Sequence, residues 1–122
     1  MDRAVAKAVI SLAGSIKTAL DTINDNLYVP HITTQPTDFV GATGTDATFT
    51  VVANNVKGYQ WQFKETEAGT VWSNTGAAGN TTASMTIRIT DARYDYRFRC
   101  KITGLDNSVI YTDVVKMVAP TT

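Results

Sequence analysis

Two stretches decide the fold of this chain: Lys57-Gly58-Tyr59-Gln60-Trp61-Gln62-Phe63 and Tyr96-Arg97-Phe98-Arg99-Cys100-Lys101-Ile102. In both, large apolar side chains alternate with polar ones, which is the pattern of a β-strand with one buried face. The first stretch places Trp61 on its apolar face, and the second places Phe98 and Cys100 there. The alternation therefore predicts two strands that face a common core.

Two further stretches, 47–51 and 85–89, show the same alternation. Four strands that each have one apolar and one polar face predict an antiparallel sandwich of two sheets. Val109–Val118 is predicted as a last strand, and Val71 and Trp72 as a short one between turn-rich connectors.

Composition limits the function classes that fit the chain. It has 122 residues, 43% hydrophobic and 18% charged, with a formal net charge of +0. A general nucleic-acid binder or membrane-surface binder would be expected to carry net positive charge. No apolar run is long enough to cross a bilayer. We expect one domain with an appendage, and neither a nucleic acid nor a membrane as partner.

Groups that carry catalytic or metal chemistry are few. There is one cysteine, Cys100, and one histidine, His31. A single cysteine cannot form an intramolecular disulfide, and one cysteine with one histidine cannot form a structural zinc site within one chain. No glycine-rich phosphate loop follows a strand. We expect no enzymatic activity, no cofactor and no metal ion.

The first 27 residues have a different periodicity. Apolar side chains recur with alternating spacings of four and three, which is a heptad seam on a helix. The seam and a neighbouring stripe consist of Val5, Val9, Leu12, Ile16, Ala19, Ile23, Ala13, Leu20 and Leu27. The pattern predicts a helix from Asp2 to Leu27. Since an isolated helix of this length is marginal in water, its apolar face must be buried against another surface.

That surface is either the chain's own β domain or another subunit. We favour association between subunits or docking on a larger assembly, because a closed sandwich leaves little apolar surface for a long helix. Prolines at 30 and 36 then break regular structure. We divide the chain into a helical anchor or oligomerisation segment (1–28), a linker with a first edge strand (29–45) and a β-sandwich (46–122).

Residues 46–103 resemble the immunoglobulin-like domains of bacteriophage virion proteins, such as capsid decoration, head-fibre and tail proteins, and of related bacterial surface proteins. The resemblance is carried by Ala47-Thr48-Phe49-Thr50-Val51, Tyr59-Gln60-Trp61-Gln62, Gly69-Thr70-Val71-Trp72 and Tyr96-Arg97-Phe98-Arg99-Cys100. It implies an immunoglobulin-like antiparallel β-sandwich, here preceded by a long N-terminal α-helix.

Two positions depart from the immunoglobulin pattern. We assign the position of the partner cysteine to Val51, which is apolar, so Cys100 is predicted to pack as a small hydrophobe near Trp61. Phe98 stands where a corner tyrosine is usual, and either Tyr94 or Tyr96 could supply the missing hydroxyl.

The resemblance implies a non-enzymatic virion structural protein, whose helix anchors the module on a capsid, neck or tail. Its partners would be copies of itself and other virion proteins. β-Branched Val9 and Ile16 around Leu12 favour a two-stranded coiled coil, whereas phage fibres favour a trimer, which we prefer slightly. The alternative is an adhesion or carbohydrate-binding module on a bacterial cell surface.

One surface of the sandwich is a candidate contact site. Arg97, Arg99 and Lys101 share the polar face of one predicted strand, and they could meet an acidic partner or an anionic host-surface glycan. The alternative is an ordinary solvated sheet face. We expect no aromatic side chains on this face, which argues against base stacking by nucleic acid.

Overall fold

The computed structural model describes residues 27–121, and these fold as a β-sandwich. A 3-10 helix, Asp91–Asp95, precedes β8. The strands are β1 (His31–Thr34), β2 (Phe39–Val40), β3 (Asp46–Thr50), β4 (Val52–Asn54), β5 (Val56–Lys64), β6 (Ser73–Asn74), β7 (Ser84–Arg88), β8 (Arg97–Gly104), β9 (Val109–Tyr111) and β10 (Met117–Val118).

The strands form two layers. In one layer β1 pairs with β4 and β3 pairs with β7; β3 and β4 are consecutive and separated only by Val51. The other layer contains the order β6-β5-β8-β9, and β10 pairs with β2 in parallel. A bridge between Phe98 and Val115 connects β8 to the segment that leads into β10. The four alternating stretches in the sequence correspond to β3, β5, β7 and β8.

The core lies between the layers and is built from the inward positions of both. Residues alternate strictly between half-buried and buried along β8, as the sequence pattern predicts. Phe49 stacks on Phe98 with ring centroids 5.3 Å apart, and it lies 6.4 Å from Trp61. The buried apolar set is Ala47, Phe49, Val51, Trp61, Met85, Ile89, Phe98, Cys100, Ile102, Val115 and Met117.

Four residues were predicted to form the centre of the core, and all of them are fully buried: Val51, Trp61, Phe98 and Cys100. Trp61 and Cys100 are direct cross-strand partners in β5 and β8. The indole Nε1 of Trp61 donates to the carbonyl of Thr82 at 2.8 Å, so its polar atom is satisfied inside the fold. Burial raises the pKa of the Cys100 thiol to about 12, which keeps it protonated.

The corner hydroxyl comes from Tyr94. Its side chain donates a hydrogen bond to the backbone carbonyl of Gly41 at 2.7 Å, across 53 residues of chain. The sequence left Tyr94 and Tyr96 as alternatives. Tyr96 instead stacks on Phe63, with ring centroids 5.5 Å apart.

Residues 29–45 were predicted to include a linker, but backbone pairing joins them to the sandwich. His31 pairs with Asn54 through β1 and β4, and Phe39 pairs with Met117 through β2 and β10. Pro36 is buried between these two strands. The edge strand predicted in this segment is present as β1. The β-sandwich begins near His31 and not at Asp46, because backbone pairing ties this segment to both layers.

The predicted last strand is interrupted. Thr112 is buried, and its hydroxyl accepts a hydrogen bond from the backbone N–H of Cys100 at 2.8 Å. The Thr112 hydroxyl takes the place of a backbone acceptor for Cys100. The regular pairing of β8 with the last segment of the chain therefore stops after β9. The short strand predicted at Val71 and Trp72 is also shifted, since β6 comprises Ser73 and Asn74.

The helix predicted from Asp2 to Leu27 lies outside the described residues except for Leu27, whose side chain is exposed. The seam residues Val5, Val9, Leu12, Ile16, Ala19, Leu20 and Ile23 therefore remain a prediction from sequence.

Trp61→Ala should lower the free energy of unfolding by about 3–5 kcal/mol, because it leaves a cavity between the layers and an unpaired carbonyl at Thr82. Chemical denaturation of both proteins measures the difference. Trp72→Ala is a matched control, because Trp72 is only partly buried. Equal losses for the two variants would contradict the central role of Trp61.

Cys100 should react very slowly with a thiol reagent at pH 8 under native conditions, because the reactive thiolate is disfavoured by burial. In denaturant the same thiol should react at the rate of a free cysteine. Labelling of the native protein at that free rate would show that the thiol is not enclosed.

Candidate functional site

The basic face predicted from sequence exists as a continuous surface of β5 and β8. Gln60 lies opposite Lys101, Gln62 opposite Arg99 and Lys64 opposite Arg97 in the antiparallel register. Inward Trp61 and Cys100 force these neighbours outward, because successive side chains in a strand point to opposite faces. Arg97, Arg99 and Lys101 are thus brought together, and each is half-buried.

The opposite outer face has different chemistry. On β3 and β7 the Thr48 and Thr86 hydroxyls lie 3.0 Å apart, and those of Thr50 and Ser84 lie 2.7 Å apart. These pairs cover that face with mutually satisfied hydroxyls. The two outer surfaces therefore differ. Paired hydroxyl groups dominate the face of β3 and β7, and cationic side chains dominate the face of β5 and β8.

Arg97 is occupied within the fold. Its Nη2 lies 3.5 Å from a carboxylate oxygen of Glu67, and its Nη1 donates to the carbonyls of Asp95 and Tyr96 at 3.1 and 3.0 Å. Its side chain is only 14% exposed. Arg97 therefore fastens the loop after β5 to the start of β8.

Lys64 organises the same loop from the end of β5. Its ammonium group donates to the carbonyls of Glu67 at 2.8 Å and Gly69 at 3.0 Å. The loop then turns back so that Trp72 lies over the outer face, with the Lys64 Nζ 5.2 Å from the centre of its ring. Lys64 and Arg97 thus shape the loop that carries Trp72 over this face.

Arg99 is the centre of the surface, which we call the Arg99 stack (Arg99, Trp72, Tyr111 and Gln62). The guanidinium carbon lies 4.3 Å from the ring centre of Trp72 and 4.0 Å from that of Tyr111. Its Nε donates to the side-chain oxygen of Gln62 at 3.0 Å. Gln62 in turn donates to Asn74 at 3.1 Å. Each of these contacts restricts the guanidinium.

The sequence analysis missed both aromatic members, and its expectation of a face without aromatic side chains is wrong. Trp72 comes from a loop and Tyr111 from β9, whereas the expectation considered only the polar positions of β5 and β8. A signal was present for Tyr111, because β9 alternates and its register with Lys101 places it beside the strip. No local pattern indicates where the loop carries Trp72.

The connectors at the far end of the sandwich also meet. The carbonyl of Asn55 accepts from the N–H of Leu105 at 2.9 Å, and Lys57 donates to the Asn107 side chain at 2.8 Å. Asn55 and Asn107 adopt positive φ of 59° and 67°, which asparagine tolerates in tight turns. Hydrogen bonds from Ser108 hold the pKa of Asp106 below its ordinary value.

A partly apolar cleft of about 380 Å³ opens between the layers on the β6 side. Phe63, Ile87 and Tyr96 line it, with Glu65 and Arg93 also among its lining residues. It lies apart from the Arg99 stack and contains none of the predicted contact residues.

Groups associated with metal or acid–base chemistry are dispersed. His31 is exposed on β1. Within residues 27–121, histidine, cysteine and acidic side chains do not gather in any group of three or more that could hold a metal ion. The same residues include no helix long and apolar enough to cross a membrane.

Comparison with known proteins identifies the fold. No protein-family model and no curated protein matches the chain. Among solved structures, titin domains Z1Z2 in complex with telethonin are similar over 75% of this chain, with a TM-score of 0.51 and 19% identity. This chain covers 47% of that titin chain.

Two other neighbours align less closely. A complex of titin M10 with an obscurin-like 1 Ig domain gives a TM-score of 0.49 and 12% identity, covering 76% of this chain and 96% of that one. Drosophila OTK extracellular domains 3–5 give a TM-score of 0.46 and 8% identity, and the alignment covers 74% of this chain and 34% of that one. The titin Z1Z2 similarity, together with the layer order, shows that the described residues form an immunoglobulin-like sandwich, and at this identity it shows the fold alone.

The Arg99 stack should be energetically coupled. In a double-mutant cycle of Trp72→Ala and Arg99→Met, we expect a coupling energy of about 0.5–1 kcal/mol in the free energy of unfolding. The control cycle pairs Trp72→Ala with Arg88→Met on the opposite sheet, where no coupling is expected. Equal coupling in both cycles would mean that the contact seen between the rings and the guanidinium contributes nothing.

Proposed function

We propose that this protein is a non-enzymatic virion structural protein, in which an N-terminal helical segment anchors an immunoglobulin-like module on a phage capsid, neck or tail. Copies of the chain associate through the seam of residues 2–27. The virion assignment is supported by the sequence resemblance. The division into an anchor and a displayed module is supported by the physical features described below.

The observation that carries the proposal is the firm attachment of residues 28–30 to the sandwich. The carbonyl of Tyr28 accepts from the N–H of Asp106 at 3.1 Å, and that of Val29 accepts from the Asn55 amide at 3.0 Å. Pro30 is buried against Gly104, where an added Cβ would lie 2.3 Å from the proline ring. Residues 28–30 are therefore fixed to the sandwich, which suits a module displayed by the segment that precedes them.

The junction is apolar on its outside. Leu27 is 53% exposed, Tyr28 49%, Val29 41% and Leu105 48%. Three consecutive hydrophobic residues exposed beside a turn are typical of a surface that contacts another protein. In the proposed assembly, neighbouring copies joined through residues 2–27 would meet close to this apolar surface.

Neither outer face of the sandwich suits the apolar side of a helix. One face carries the hydroxyl pairs of β3 and β7, and the other carries the charged strip of β5 and β8. Burying a row of leucine, isoleucine and valine side chains against either would leave polar groups without water. Association with another subunit therefore remains the better way to bury the seam.

A bacterial-surface or carbohydrate-binding module is the second candidate. The observation behind it is that Trp72, Tyr111 and Gln62 share one face, because sugar sites combine aromatic and amide groups. Binding of a neutral oligosaccharide at this face, by a chain that is monomeric in solution, would support this candidate over the anchor.

Leu12→Asp with Ile16→Asp should convert the oligomer into a folded monomer, because two charges in the seam oppose helix association while the sandwich core does not include these positions. Analytical ultracentrifugation measures the mass, and near-ultraviolet circular dichroism reports the packing of Trp61. The same change should remove the protein from its particle.

Ser11→Asp with Thr18→Asp is the matched control, since it adds the same charge at positions that the heptad pattern places away from the seam. This variant should assemble like the unmodified chain. If the seam variant stays assembled, or if both variants dissociate equally, the proposed anchor is wrong.

A further inference from the structure

Arg99 is held in a fixed orientation on the outside of the sheet. An arginine side chain normally has many rotamers, and ordering it on binding is costly. Here Trp72 and Tyr111 flank the guanidinium at 4.3 and 4.0 Å, and Gln62 accepts from its Nε at 3.0 Å. Much of the ordering cost of a contact to Arg99 is therefore already met by the fold.

One edge of this guanidinium remains available. Gln62 occupies Nε, and among residues 27–121 no acceptor forms a hydrogen bond with either terminal nitrogen of Arg99. The two terminal nitrogens form a planar pair with parallel N–H bonds. Such a pair matches the two oxygens of one carboxylate, in a bidentate contact that is stronger than a single neutral hydrogen bond.

We propose that the Arg99 stack is a docking site for an acidic segment of a partner protein, in which one Asp or Glu carboxylate pairs with the terminal nitrogens of Arg99. This goes beyond the proposed anchoring role. It uses the outer face of the second layer and does not depend on residues 1–26.

The charges around the stack favour an acidic occupant. Lys101 lies on the same face, two residues after Arg99 in β8, and its ammonium group makes no hydrogen bond or ion pair with the described residues. Of the ion pairs among residues 27–121, the one on this face joins Glu67 to Arg97, at 3.5 Å. Two cations are thus left without carboxylate partners.

The aromatic groups favour a protein over a polysaccharide. A sugar ring stacks on the open face of an aromatic side chain, but Arg99 already covers one face of Trp72 and one face of Tyr111. Val71, which precedes Trp72, is 76% exposed, and Val109 on β9 is 42% exposed. Tryptophan, tyrosine and arginine flanked by apolar side chains are typical of the residues that dominate protein–protein interfaces.

The test is a titration of the intact chain with an oligoglutamate peptide, followed through the NMR signals of the Arg99 side chain in the unmodified chain and of the Trp72 indole N–H in every variant. We expect saturable shifts of the Arg99 terminal nitrogens at millimolar peptide. Arg99→Gln should weaken binding about tenfold or more, as expected for loss of a charged hydrogen-bonded pair. Arg99→Lys should weaken it nearly as much, because a lysine keeps the charge but lacks the planar pair.

Arg88→Gln is the matched control, since it removes the same charge from the opposite sheet; it should bind like the unmodified chain. The thermal unfolding midpoint of each variant checks that the sandwich is intact. Full binding by Arg99→Lys would reduce the site to general electrostatic attraction and overturn the proposal. It would also be overturned by no shift at Arg99, or by tighter binding of polygalacturonate, oligothymidylate or oligoglutamine than of oligoglutamate.

Discussion

The packing of Trp61 is the constraint on which the rest of this structure depends. Its side chain fills the space between the layers opposite Cys100, and its indole N–H bonds to Thr82. Its backbone N–H donates to Asn80 at 2.8 Å, and its carbonyl accepts from Thr75 at 3.1 Å. One residue thus ties β5 to β8 by packing and to the segment after β6 by hydrogen bonds. The fold has no disulfide to share this role, because Cys100 is a free thiol.

The surface chemistry follows from the same constraint. Once Trp61 and Cys100 point inward, Gln62 and Arg99 must point outward, and a slip of one residue would exchange the faces. The core register therefore determines that Arg99 lies between the strand that carries Tyr111 and the loop that carries Trp72. Packing in the interior and the geometry of the candidate site are two consequences of one strand pairing.

Period-two alternation was sufficient to predict the main strands, the burial of Val51, Trp61, Phe98 and Cys100, and the shared face of the basic side chains. It could not predict features that depend on contacts distant in sequence. Thr112 interrupts the last strand because its hydroxyl reaches Cys100, and Trp72 reaches Arg99 because Lys64 shapes a loop. The choice of Tyr94 for the corner likewise depends on Gly41, 53 residues away. Local patterns contain no information about these partners.

The described residues form a complete sandwich by themselves. Its core is closed by residues of the module itself, and its outer faces carry hydroxyl pairs or charged side chains. We therefore propose that another subunit buries the apolar seam predicted over residues 2–27. Light scattering of the intact chain during size-exclusion chromatography tests this most directly. The account predicts a mass two or three times the 13.2 kDa of one chain. A single species at 13.2 kDa at micromolar concentration would contradict it.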